Sequence, residues 1–166
     1  MTRNAFTIMP MKKSHIPACD AIVTGSDPWK RLNESVDLRG AISAKTTSAR
    51  AYVCMAGRET AGFILFIPEP VFARGGYLRA LAVAPRFQRQ GVGRKLLSFA
   101  EKTTSERALH FFLCVSSFNR RAQVFYRKCG YRKAGSLPGI IRPGIAEFIY
   151  WKRLRKSPSR ARRSEP

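Results

Sequence analysis

The chain has 166 residues, enough for one domain with a proper core, and its apolar content of 45% is ordinary for a globular protein. Its charge is not ordinary: 31 Lys and Arg stand against 10 Asp and Glu, a net +21, a field that favours anionic partners such as a nucleotide, nucleic acid, an acidic protein or a membrane surface. Cys19, Cys54, Cys114 and Cys129 form no CxxC pair and fit no zinc spacing, so no metal site is expected, and the longest apolar run, AGFILFIP, is far too short to span a bilayer.

AFTIMP alternates as a first strand, and its flank MTRNAFTIMPMKK has no apolar core of signal-peptide length. These features together predict a cytoplasmic protein whose thiols stay reduced and serve as small buried hydrophobes. HIPACDAIVTG predicts a short helix with Ile16, Cys19, Ile22 and Val23 on one face. SDPWKRLN predicts a second helix start, with Asp27 as N-cap and Pro28 at the first helical position, and SVDLRGAISAK a further helix. RAYVCMA and AGFILFIP read as strands of a hairpin around GRET, followed by a loop holding Pro70 and the pair Gly75 and Gly76, then the strand YLRALAVA. GVGRKLLSFAEKTTS predicts a helix with Val92, Leu96, Leu97 and Ala100 on one face, LHFFLCVSS a buried strand, and NRRAQVFYRKCG a helix starting at Asn119 and ended by Gly130. YRKAGSLPG and IAEFIYWKRL close the domain as strands. The order is βαα, a meander of three strands, then αβαββ, an α/β domain with a mixed sheet. The domain is expected over residues 1–154, and 155–166, RKSPSRARRSEP, reads as a basic disordered tail with no apolar residue larger than Ala. Residues 152–166 carry seven basic residues and one acidic residue, so the rest of the chain keeps +15 of the +21 and is basic in its own right.

The stretch LAVAPRFQRQGVGRKLL passes from strand to loop to helix. The first amides of a helix have no intrahelical acceptor, the helix dipole is positive there, and glycine lets a ligand approach the backbone. Gln88, Arg89, Gln90, Gly91, Val92 and Gly93, flanked by Arg86 and Arg94, therefore form a candidate anion site, though paired glycines before a helix also serve as a plain turn. The Lys-Ser/Thr ending of a Walker loop and the third glycine of the dinucleotide fingerprint are both missing.

QRQGVG after LAVAP resembles the acyl-CoA-binding signature of the GNAT superfamily of N-acetyltransferases, and NRRAQVFYRKCGY, residues 119–131, independently resembles that superfamily's Asn-helix, most of all in the ribosomal-protein alanine N-acetyltransferase branch. The resemblance implies a mixed, mostly antiparallel central sheet with helices on both faces and a splayed strand pair holding acetyl-CoA. It implies that Leu81, Ala82 and Val83 lie on the splayed strand, where free backbone groups pair with the pantetheine arm. It implies that residues 88–94 wrap the pyrophosphate, that Asn119 contacts the pantetheine region, and that Tyr126 stands near the cofactor sulfur.

Acetyl transfer from a thioester to an amine needs a neutral amine, donors for the oxyanion, and a proton for the leaving thiolate. A backbone N–H at residues 81–83 serves the second need. A phenol of pKa about 10 serves the third beside a thiol near ~8.5, and with the resemblance this makes Tyr126 the candidate acid; on the residues alone it reads rather as a core aromatic beside Phe125 and Tyr131. The base is missing from its place, because the branch's glutamate, five residues ahead of the Asn, is Cys114 here, and a buried thiol is a poor base. His110 at the strand's rim, Glu34 and Glu147, each readable as a plain surface carboxylate, and a water chain remain alternatives. An α-amine, titrating near ~7.7–8.0 against ~10.4 for lysine, needs less help from a base, which favours a protein N-terminus as acceptor. A small-molecule amine stays open, as does a degenerate CoA- or nucleic-acid-binding protein. Nucleic acid or the ribosome enters only through the electrostatic field, and a monomer or homodimer is expected.

Overall fold

The computed structural model describes residues 5–43 and 48–156, so residues 157–166 of the expected tail lie outside the described residues. Seven strands build one sheet: β1 (Phe6–Pro10), β2 (Arg50–Ala56), β3 (Glu59–Phe72), β4 (Gly75–Val83), β5 (His110–Ser116), β6 (Arg132–Pro138) and β7 (Ala146–Arg153), in the order β1-β2-β3-β4-β5-β7-β6. Only β4 and β5 run parallel; the other five neighbour pairs are antiparallel. Helices α1 (Ile16–Thr24), α2 (Trp29–Leu32) and α3 (Leu38–Ser43) fill the first crossover, and α4 (Val92–Ser105) and α5 (Arg120–Lys128) flank β5 in sequence.

The apolar periodicities sort these helices onto two faces. Ile16, Cys19, Ile22 and Val23 of α1 and Leu38 of α3 bury against Val53, Phe63, Leu65, Ala80 and Ala82 on one side of the sheet. Val92, Leu96, Leu97 and Ala100 of α4 bury against Ile64, Phe66, Leu78, Phe111 and Leu113 on the other. Two strand residues on the same face are normally an even number apart. Leu78 and Ala80 nonetheless belong to opposite faces, because Leu65 pairs with Ala80 while the next residue, Phe66, pairs with Leu78. Arg79 is thus an extra residue in β4, a β-bulge that reverses the facing of the strand and bends it.

The bulge coincides with the end of the parallel ladder. Residues 75–78 of β4 pair with residues 110–113 of β5, and β4 then continues for five residues and β5 for three without pairing to each other. Beyond the ladder the two strands part, and β4 stays bonded only to β3, through Ala82 with Phe63 and Val83 with Gly62.

Some expected boundaries shift. The segment around Pro70 is not a loop: β3 runs through Pro68 and Pro70 to Phe72, and a two-residue turn at Ala73 and Arg74, with φ of 41° and 65°, leads into β4. The prolines are tolerated because the β3–β4 ladder is interrupted between Ile67 and Phe72, where no backbone donor is required. Asp27 does not cap α2; Pro28 occupies the cap position, and the Ser26 carbonyl accepts the Lys30 N–H at 2.9 Å. The helix expected over SVDLRGAISAK is described over six residues, its last two expected positions lying outside the described residues, and among the described residues the first crossover carries the three expected helical segments, all short, preceded by a 3-10 turn. The four cysteines are free, Cys19 and Cys54 fully buried, and burial pushes the Cys19 thiol up to about 12, with Asp20 adding to the rise.

The closed end of the parting strands is built on side-chain absence. A Cβ on Gly76 would lie 2.7 Å from the Ile67 carbonyl oxygen and 2.7 Å from the Thr104 methyl, and one on Gly75 would lie 2.4 Å from the Phe112 ring. Gly76→Ala is therefore expected to cost about 1–3 kcal/mol in urea unfolding, since a backbone oxygen has to move. Gly135→Ala on the edge strand β6, where a Cβ meets only the Ile149 Cδ1 at 3.7 Å, should be neutral or slightly stabilising. Equal effects at both positions would contradict the tight junction.

Candidate active site

The opening between β4 and β5 gathers the residues singled out in the sequence. Leu81, Ala82 and Val83 lie along the β4 edge that faces no strand among the described residues. The chain then makes a 3-10 turn, Pro85–Phe87, pinned by the buried Phe87 ring, and enters the loop before α4. Arg89 and Gly91 both adopt left-handed conformations, φ 62° and 88°, with Gln90 between them. Alternation of this kind turns successive amides toward a common point. The first bond reaching from α4 into the loop is Lys95 N–H to Gly91 C=O at 2.9 Å, so the amides of Val92, Gly93 and Arg94 have no acceptor among the described residues. A Cβ on Gly91 would meet nothing within 4 Å, so the space above the loop is open, whereas one on Gly93 would meet Phe125 at 3.5 Å and Val83 at 3.6 Å. Gly93 is where α4, α5 and β4 converge.

The two glutamines shape the loop itself. Gln88 Nε2 donates to the Val83 carbonyl at 3.0 Å, Gln90 Nε2 donates to the Arg86 carbonyl at 2.7 Å, and Arg121 donates to Gln88 Oε1 at 2.8 Å, which ties the start of α5 to the loop. Arg89 and Arg94 remain exposed beside the free amides. Asn119 caps α5, its Oδ1 accepting the Ala122 N–H at 3.1 Å.

Tyr126, on α5, is 8% exposed and packs edge-on against Phe125 and Tyr131, with ring centroids 5.1 Å and 5.7 Å away. The ring belongs to the core, as its reading as a core aromatic expects, and its hydroxyl takes no hydrogen-bond partner among the described residues. Burial raises its pKa, with Cys129 and Tyr77 adding to the rise, so the phenol is protonated throughout the physiological range. Beneath it, Tyr131 donates to Glu101 Oε1 at 2.9 Å, and Lys152 Nζ grips both Glu101 oxygens at 2.9 Å, which holds the floor of the site rigid.

A second group lines the opposite face of the sheet at the same opening. Tyr77, immediately before Leu78, points away from α4, toward the face that carries Cys114. Burial pushes the Cys114 thiol up and the Tyr77 hydroxyl pulls it partly back, so position 114 holds a neutral thiol. Glu147 of β7 sits directly across from Ser116 of β5. It is not the surface carboxylate that its sequence context allows: it is 7% exposed, and its Oε1 is enclosed without a hydrogen-bond partner. Burial raises its pKa above the ordinary 4.5, the Ser116 hydroxyl lowers it in part, and Glu34, exposed between α2 and α3, raises it further. Arg31 lies 4.3 Å from the Phe118 ring centroid and Arg142 donates to the Leu32 carbonyl, so α2 is held over this face by the β5–α5 and β6–β7 connections. His110 is elsewhere: it begins β5 at the closed end, four residues or about 13 Å of strand from Cys114, and packs on Trp151 with centroids 5.6 Å apart. Tyr77 and Ser116 are members of the site that no motif marked, because their facing depends on the bulge and on the β5–β7 register.

Residues 16–131 match the family described as Acetyltransferase (GNAT) family, and the chain belongs to it. It is accordingly an acyltransferase whose cosubstrate is acetyl-CoA. Three solved structures share the fold. The ribosomal-protein-S18-alanine N-acetyltransferase from Escherichia coli is 19% identical, with a TM-score of 0.73 over 94% of this chain and 98% of that one. Ard1 from Thermoplasma volcanium is 22% identical, with a TM-score of 0.74 over 91% and 99%. An aminoglycoside 6'-N-acetyltransferase complexed with coenzyme A is 16% identical, with a TM-score of 0.70 over 92% and 99%. Comparison with curated protein sequences finds no match. Among the described residues no helix is long and apolar enough to cross a membrane, and no group of His, Cys, Asp and Glu could hold a metal ion.

The raised pKa of Glu147 has a signed consequence. Below its ordinary 4.5 the carboxyl is neutral in both folded and unfolded chains; between 4.5 and the raised folded value only the unfolded chain ionises, so stability is lost as pH rises through that window. Glu147→Gln removes this loss. The unfolding midpoint of the variant relative to the native protein should therefore increase as pH rises from the ordinary 4.5 toward the raised folded value. A difference independent of pH would contradict the burial of the carboxylate.

Proposed function

We propose that this chain transfers the acetyl group of acetyl-CoA directly to a primary amine, with the α-amine of a protein N-terminus as the favoured acceptor. The observation that carries this reading is the parting of β4 from β5 beside a loop with three unpaired amides. An extended polar arm fits the free β4 edge much as a peptide adds to a sheet. A pyrophosphate fits the amides of Val92, Gly93 and Arg94, with Arg89 and Arg94 supplying charge and the open space at Gly91 admitting close approach. Asn119 borders the same arm. In this reading Gln88 and Gln90 act by holding the loop in shape.

The cosubstrate supplies an activated acetyl thioester. A backbone N–H on β4 at residues 81–83 donates to the oxygen on which charge develops. Tyr126 holds a proton at its hydroxyl for the departing sulfur; burial keeps that proton in place, and the same dry surroundings disfavour a free thiolate and so raise the sulfur's demand for it.

The acceptor side supports a monocation better than a polycation. Two carboxylates, Glu147 and Glu34, border it, and the β6–β7 connection adds the exposed apolar side chains Ile140 and Ile141, at 62% and 38% exposure. A single ammonium followed by a short side chain suits that combination. An S18-alanine N-acetyltransferase among the proteins of like fold supports the same reading, whereas the aminoglycoside 6'-N-acetyltransferase supports a small amine as the second reading.

The test measures CoA release from acetyl-CoA over peptides with free N-termini, N-blocked lysine peptides, amino acids and aminoglycosides, with turnover of the N-terminal peptides expected. Tyr126→Phe should fold normally, because the hydroxyl has no partner to lose, and should bind acetyl-CoA with unchanged affinity by calorimetry. Its kcat should fall on the order of 10²–10⁴-fold. Full activity of this variant would overturn the assignment of the acid.

A further inference from the structure

Position 114 is occupied by a thiol held neutral, yet a buried carboxylate stands one diagonal step away in the sheet. Cys114 pairs with Ile149 and Ser116 with Glu147, so Cys114, Ser116 and Glu147 share one face. Diagonal neighbours of this kind lie about 7–8 Å apart at their backbones, within reach of a glutamate side chain. We propose that Glu147 is the group that takes the acceptor's proton, supplying from β7 the carboxylate that position 114 lacks; the proposal rests on the amine-acetyltransferase reading above.

Three observations carry it. Glu147 is more than nine-tenths buried and its Oε1 has no partner, an arrangement that costs free energy unless a donor arrives. No Lys or Arg pairs with it among the described residues, although the chain carries 31 of them; of the cations of the overlying elements, Arg31 and Arg142 are engaged with Phe118 and the Leu32 carbonyl, and Lys30 of α2 is exposed. The remaining groups that face it are the Ser116 hydroxyl and the Cys114 thiol from β5, the Tyr77 hydroxyl from β4 and the Glu34 carboxylate beside α2, while β6 brings only Leu137 opposite. That set holds two hydroxyls, a thiol and a second carboxylate but no cation, and suits an incoming ammonium. Tyr126 and Glu147 lie on opposite faces of the sheet at the same opening, so the acid and the base address a reacting carbon from the two sides of the parted strands.

The proton count closes. Glu147 removes one proton from the acceptor ammonium and passes it to solvent. The freed nitrogen forms the N–C bond, the C–S bond breaks with its electron pair going to sulfur, and sulfur takes the Tyr126 proton. The second nitrogen proton leaves through Glu147, and solvent returns one proton to Tyr126, so each transfer releases one proton.

The experiment follows kcat/KM from about pH 5 to about pH 10 for the native protein, Glu147→Gln, Glu147→Asp, and Cys114→Glu in the Glu147→Gln background. The acceptors are an Ala-initiated peptide, an N-blocked lysine peptide and glycinamide, and calorimetry measures acetyl-CoA binding. The native protein should show one rising limb common to all its acceptors. Glu147→Gln should bind acetyl-CoA normally and lose on the order of 10²–10⁴-fold in kcat/KM. Its residual limb should follow each acceptor's own amine, near ~7.7–8.0 for the α-amine and ~10.4 for lysine. Glu147→Asp and the relocated carboxylate at position 114 should each restore part of the rate. Native rate and an unmoved limb in Glu147→Gln would overturn the proposal while leaving the transferase reading intact. Failure of the native protein to acetylate any of the three acceptors would overturn that reading, and this assignment with it.

Discussion

One extra residue, Arg79, sets the geometry on which the rest depends. Up to Leu78 the parallel ladder holds β4 and β5 together, and Gly75 and Gly76 allow an approach that side chains would prevent. The bulge then reverses the facing of β4 and increases its local twist, so β4 follows β3 while β5 follows β7. An interior strand thereby acquires an exposed edge, normally a liability, in the middle of a seven-stranded sheet. The edge is short, and the loop before α4 and the start of α5 close its outer end through the contact of Arg121 with Gln88.

The opening divides the chemistry between two faces of one sheet. On the α4–α5 face, free amides and guanidinium groups concentrate positive potential, which suits phosphates, and a buried phenol keeps its proton. On the α1–α3 face the same basic chain presents an enclosed carboxylate with a second one nearby. Low polarity at the centre works in the same sense on the two groups: it holds the Tyr126 proton on and raises the proton affinity of Glu147, which brings the carboxylate closer to an amine in basicity. The net charge of +21 therefore describes the field around the site better than the acceptor pocket itself.

Much of this was legible in the residues. The 3.6-residue spacing of Val92, Leu96, Leu97 and Ala100, the Asn119 cap and the Gly130 stop each express local physics, and each helix formed within a residue or so of expectation. The loop of residues 88–94 was legible for the same reason, since glycines before an amphipathic helix report backbone conformation. Features that depend on pairing were not. Pro68 and Pro70 read as a loop because the gap in the β3–β4 ladder that tolerates them exists only once the strands have met. Glu147 read as a surface carboxylate because its burial comes from the β5–β7 register and from α2 overhead. Tyr77 carried no signal, since a one-residue bulge decides where its hydroxyl points. The family resemblance anticipated the sheet and the splayed pair, whereas the departure at Cys114 could be interpreted only from the side chains around it.

The most direct measurement of the central claim, that the parted strands and the loop before α4 hold acetyl-CoA, is amide hydrogen exchange of the native protein with and without that compound. Unpaired amides exchange readily until something accepts from them. Acetyl-CoA should slow exchange along residues 81–83 and at Val92, Gly93 and Arg94, and leave the edge strand β6 unchanged. Saturating binding with no added protection at either segment would contradict the account.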